Sequence, residues 1–117
     1  MTAHAARRRE LTEAYRRVAQ LGLNDLSSGN VSARVDGGML ISASGTSAES
    51  VTDDSFVFVA ADGTVDPGDL RPSSEWQMHL GVYRTKPTAG AVVHTHSDHC
   101  VALASHGRGL PGFTYVV

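Results

Sequence analysis

At 117 residues the chain is long enough for one domain with a modest core and too short for two. Hydrophobic residues at 41% and charged residues at 19% exclude a disordered chain, and no apolar run reaches the ~20 residues of a membrane-crossing helix. A net charge of −2 gives no electrostatic reason to expect nucleic acid or an anionic membrane as partner.

Arg7-Arg8-Arg9, the one basic cluster, reads as the solvated start of a helix. Leu11, Ala14, Val18 and Leu21 recur at helical spacing and predict an amphipathic helix from about Ala5 to Leu21, stopped by Gly22. A loop of small polar residues, Asn24 to Asn30, leads into Val31–Val35, whose apolar alternation is that of a half-buried strand. Asp36-Gly37-Gly38 turns the chain into a second strand, Met39 to Ser42, so a hairpin is expected. Ser44-Gly45-Thr46-Ser47 is another hydroxyl-rich loop, and Phe56–Val59 a third strand, turned by Ala61-Asp62-Gly63 towards Thr64-Val65. Pro72-Ser73-Ser74-Glu75 opens a second helix, with Ser73 or Ser74 as N-cap and Trp76, Leu80 and Tyr83 as its apolar stripe, ended at Lys86-Pro87. Ala91 to His96 reads as a buried strand, followed by a short helix near Asp98–Ser105 and a last apolar strand, Phe113 to Val117. Cys100 is the single cysteine and cannot form an internal disulfide, and no signal-peptide pattern precedes the first helix, so a cytoplasmic setting is expected.

The chemistry concentrates at the strand carrying His94 and His96. Alternation along a strand points both imidazoles the same way, within reach of one ion, which makes a metal half-site. Three small-residue loops, at Gly29-Asn30, Ser44-Gly45 and Ser73-Ser74, could offer backbone N–H groups and hydroxyls to a phosphate, the last of them at a helix start. Taken singly, Ser74 reads equally as a helix cap, and Gly29 reads as a turn residue only. Glu75 is favoured in a first helical turn by the dipole, and could also work as an acid or base beside a metal. His79 and His106 read as helix-surface residues or as supports behind a site.

Gly22-Leu23-Asn24 through Ser28-Gly29-Asn30-Val31-Ser32, Met39 to Gly45, Pro72-Ser73-Ser74-Glu75-Trp76 and Ala91 to His96 together resemble the class II aldolase/adducin family. The resemblance implies a three-layer α/β/α fold with a mixed, mostly antiparallel sheet, incomplete at its C-terminal end, with residues 1–117 forming the amino-terminal part of the family domain. It implies phosphate binding by Gly29, Asn30, Ser44, Gly45, Ser73 and Ser74, acid/base work by Glu75, and zinc ligation by His94 and His96. Tyr115 stands where a tyrosine of a neighbouring subunit donates a proton. The second loop has Ser44 where the family's aldolases have threonine and Ala43 where they have proline, so the hydroxyl is kept. The family's third zinc histidine falls beyond Val117, and the histidine matching His99 is not a ligand. The implied function is zinc-dependent aldol cleavage of a phosphorylated sugar by a homo-oligomer, a tetramer in the family. A sugar-phosphate epimerase, a thioribulose-phosphate dehydratase and a non-catalytic module, truncated or adducin-like, are the alternatives. A Schiff-base aldolase needs a desolvated lysine, and Lys86, the only lysine, sits at a helix end beside Pro87.

Overall fold

The turn at Asp36-Gly37 sets the register of the sheet. In the computed structural model, which describes residues 3–112, β1 (Asn30–Val35) and β2 (Gly38–Ser42) pair antiparallel with Val35 opposite Gly38. Gly37 takes φ 82°, in the left-handed region that glycine enters freely. A Cβ on Gly38 would lie 2.1 Å from the Val59 carbonyl oxygen, so glycine is what lets the hairpin close against the third strand. That strand, β3 (Phe56–Ala60), pairs antiparallel with β2 and is turned at its end as expected, with the Gly63 N–H donating to the Ala60 carbonyl at 2.8 Å. β4 (Ala91–His94) joins the opposite edge, antiparallel to β1, giving the order β3-β2-β1-β4. Every pair among the described residues is antiparallel, so the parallel component expected of a mixed sheet is not among them.

Side-chain alternation along β1 divides the molecule into two faces. Val31 and Ala33 pack with Leu40, Val51 and Phe56 against Leu11 and Tyr15 of α1 (Ala5–Gln20). On the other face Met39, Ile41 and Val59 pack against Leu80 and Tyr83 of α2 (Trp76–Thr85). One helix on each side of the sheet makes the three layers. The buried side of α1 runs through Leu11, Thr12 and Tyr15 towards Val18, and not through Ala14 to Leu21, which is 54% exposed. The ring of Tyr15 supplies the apolar body that the expected stripe assigned to smaller residues.

α2 starts later than its serines suggest. Glu75 occupies the N-cap position with no side-chain cap, while the Ser73 hydroxyl accepts the Glu75 N–H at 3.3 Å. The Ser73 N–H still donates to the Ser42 carbonyl at 2.9 Å, beside the Ala43–Pro72 bridge, so the helix begins only after a turn. α3 (Asp98–Ser105) buries none of its residues. The strand expected over Phe113–Val117 lies outside the described residues.

Candidate active site

Three loops distant in the chain meet at one end of the sheet. Ala43 and Pro72 form an isolated bridge, flanked by the Ser44 N–H to the Arg71 carbonyl at 2.9 Å and the Ser73 N–H to the Ser42 carbonyl at 2.9 Å. This two-stranded patch sets the Ser44-Gly45 loop beside Ser73-Ser74. The Ser44 loop bends back tightly, with the Thr46 hydroxyl donating to the Ala43 carbonyl at 2.7 Å and Gly45 at φ 78°. Tyr15 fastens the same loop to α1 by donating to the Thr46 carbonyl at 2.5 Å. The third loop is tied by the Gly29 N–H, which donates to Asn24 Oδ1 at 2.6 Å. A Cβ on Gly29 would lie 2.8 Å from the His94 carbonyl oxygen, so glycine permits this loop to close on β4.

Between the loops is a cavity of about 260 Å³, lined by Gly29, Asn30, Ser44, Gly45, Ser73 and Ser74, with Glu75 and His96 in its wall. All six positions expected to hold a phosphate therefore converge, and the expected acid/base lines the same space. Among the described residues the lining contains no Lys or Arg, so an anion here depends on N–H and hydroxyl donors and not on ion pairing. Larger hollows of about 500 and 790 Å³ lie along α1, around Arg8–Asp53 and around Arg34–Asp36, but neither contains the serine loops or the imidazole pair.

The two imidazoles stand at the end of β4. The strand stops at His94, yet the rings of His94 and His96 lie side by side, with centroids 4.9 Å apart and planes tilted by 54°. His94 is half-buried and His96 exposed. Imidazole nitrogens suit zinc, and an adjacent pair fits as part of a donor set. Among the described residues no third His, Cys, Asp or Glu completes a metal-sized group with them, His99 included. Tyr115 lies outside the described residues.

Behind the pair is a residue that sequence reading left between surface and support. His79 of α2 is fully buried, at 0% exposure, with Nε2 2.5 Å from Asn30 Oδ1 and Nδ1 2.7 Å from Ser32 Oγ. The same Asn30 oxygen lies 3.2 Å from His94 Nδ1, because Asn30 and His94 are direct partners in the β1–β4 register. Burial, reinforced by the nearby His94, pushes the His79 pKa down to about 4, so this imidazole is neutral at physiological pH. The signal was present: His79 falls on the Trp76–Leu80–Tyr83 stripe, three residues after the first and four before the last. Its partner Asn30, 49 residues away, was not visible from local spacing.

A sheet with one helix layer on each face thus carries, at one end, serine and glycine loops around a small polar cavity with paired histidines at its rim. Residues 9–117 match the Class II Aldolase and Adducin N-terminal domain, and the chain belongs to that family. It is 38% identical to the L-fuculose phosphate aldolase of Escherichia coli K12 over 93% of this chain and 50% of that one. It is 41% identical to the 5-methylthioribulose-1-phosphate/5-deoxyribulose-1-phosphate aldolase of Rhodospirillum rubrum over 96% of this chain and 50% of that one. A solved L-fuculose 1-phosphate aldolase superposes with a TM-score of 0.87 at 29% identity, covering 97% of this chain and 54% of that structure. The chain thus spans about half the length of the relatives it matches.

Proposed function

We propose that the chain contributes the phosphate-holding and proton-transfer half of a metal-dependent aldolase that cleaves a ketose 1-phosphate. The observation that carries this reading is the single cavity joining the Gly29, Ser44 and Ser73 loops to Glu75 and His96. The phosphate sits among the N–H groups and hydroxyls of Ser44, Gly45, Ser73 and Ser74, while Gly29 and Asn30 close the side towards β4. Anchoring the substrate by its phosphate holds the carbonyl end towards the imidazoles, which converts binding into orientation. His94 and His96 would hold a zinc ion as two of its ligands, and the metal would supply Lewis-acid polarisation of the substrate carbonyl. Glu75, exposed to the cavity, moves the proton at the carbon released by cleavage. Tyr115 of a neighbouring subunit serves the aldehyde oxygen, which requires a homo-oligomer, a tetramer on this reading.

Two relatives suggest which sugar phosphates to try, L-fuculose 1-phosphate and 5-methylthioribulose 1-phosphate. Cleavage of either releases dihydroxyacetone phosphate, which a coupled reductase assay detects. With the remainder of the family domain supplied, zinc-dependent release is expected with at least one, and Glu75→Gln should lower it by about 10²–10⁴-fold, the usual contribution of a positioned acid or base; residues 1–117 alone, with two of the zinc ligands, should release little or none. Release that is unaffected by Glu75→Gln would remove Glu75 from the chemistry. Absence of cleavage with either substrate when the remainder of the domain is present would remove the aldolase reading for these sugars.

A further inference from the structure

The buried polar groups behind the imidazole pair form one continuous chain. Tyr83 Oη lies 2.7 Å from Ser32 Oγ, which lies 2.7 Å from His79 Nδ1; His79 Nε2 then meets Asn30 Oδ1, which also meets His94 Nδ1 at 3.2 Å. We propose that Ser32, His79 and Asn30 are positioning residues that lock His94 in its Nδ1–H tautomer and so present its Nε2 lone pair to the metal. This deepens the proposed function, since it rests on His94 being a metal ligand.

The argument is one of donor and acceptor capacity. A carboxamide oxygen can only accept, so both imidazole nitrogens that face Asn30 Oδ1 must carry hydrogen. A neutral His79 with its hydrogen on Nε2 has a bare Nδ1, which takes the Ser32 hydroxyl hydrogen, and Ser32 in turn accepts from Tyr83. His94 with its hydrogen on Nδ1 has a bare Nε2, the form needed for ligation. Each bond then has one direction, and the direction of one bond sets that of the next. The opposite arrangement is equally closed. With the Asn30 amide turned over, its NH₂ would donate to both imidazoles, the hydrogens of His79 and His94 would move to Nδ1 and Nε2, and His94 could no longer ligate through Nε2. Asn30, His79 and Ser32 are 4%, 0% and 1% exposed, so water cannot substitute for a wrong partner and the chain can reverse only as a whole; ligation through His94 Nε2 selects the stated direction. Asn30 thereby commits its oxygen to the metal side of the site and has only its amide nitrogen left for substrate.

The tautomers are read directly from ¹⁵N–¹H correlation spectra of the imidazoles in the metal-free chain at mildly alkaline pH. The expected result is Nδ1–H for His94 and Nε2–H for His79. The reverse pair, or a mixture at His94, overturns the proposal whatever the variants do. Zinc affinity, measured by competition with a chromogenic chelator, is the second readout. Asn30→Ala should weaken it by about 10–100-fold, the usual loss when a ligand's orienting partner is removed. Asn30→Asp, whose carboxylate also only accepts, should keep the His94 tautomer and restore most of that affinity, and Ser32→Ala should leave His79 with mixed tautomers. Equal affinity in Asn30→Ala and the unaltered chain overturns the positioning role. If the unaltered chain takes up no zinc, the metal reading fails, while the tautomers still decide whether the polar chain has the stated direction.

Discussion

At the scale of single residues, His79 makes folding depend on pH. Its pKa in the folded chain, about 4, lies below the ordinary 6.5, so between those values the unfolded chain binds more protons than the folded one. Stability is therefore fully expressed above about pH 6.5, falls as pH drops towards 4, and flattens below that, where both states are protonated. The gap between 6.5 and 4 corresponds to on the order of 3 kcal/mol. Urea unfolding at a series of pH values should show this slope, superimposed on that of the carboxylates. His79→Gln, which can still donate to Asn30 and accept from Ser32, should lose the part of the slope lying between pH 6.5 and 4. An unchanged slope would mean that His79 does not stay neutral in the fold. The residues lining the cavity were legible in the sequence because small-residue loops between apolar strands announce themselves locally. His79 was legible only in its place on the helical stripe, because whether such a histidine is buried depends on an acceptor supplied by a different strand.

Among the elements, β1 organises both the core and the site. Its odd-numbered side chains, Val31 and Ala33, enter the core with α1, while Asn30 and Ser32 face α2 and carry the polar chain. Apolar alternation predicted this strand and its hairpin partner well, since period two is a property of neighbouring residues. The bridge between Ala43 and Pro72 left no such trace, for a pairing of one residue has no period, yet it brings the two serine loops together. The position of the first turn is also decided by tertiary contact. Gly38 stands where a Cβ would press on the Val59 carbonyl oxygen at 2.1 Å, and that atom is backbone held in the β2–β3 ladder. Gly38→Ala should therefore force the ladder apart and lower stability by about 1–3 kcal/mol, as overpacking commonly does. Equilibrium urea denaturation measures it, and a variant as stable as the parent would show that the hairpin end opens without cost.

For the molecule as a whole, the sheet has one edge covered less well than the other. β4 pairs only with β1 among the described residues, and on its α1 side Ala91 is exposed and Val93 is 56% exposed, because α1 reaches across β1 and no further. α3, which follows, buries none of its side chains. The chain matches relatives about twice its length, and the family resemblance that foretold the converging loops says nothing in the sequence about which surfaces stay open. An edge strand with free backbone groups and an exposed valine is a template for another strand, and natural edges are commonly protected by lysine. Residues 1–117 by themselves should accordingly associate as concentration rises, in sedimentation velocity, and Val93→Lys should shift that association to higher concentration while leaving the circular dichroism spectrum unchanged. Val93 is well suited to the test because its partner in the register, Val31, is only 2% exposed, so the substitution changes the outer strand without entering the core. Association that is equally strong in Val93→Lys would assign it to another surface, and a chain that remains monomeric throughout would mean that the β4 edge does not template association.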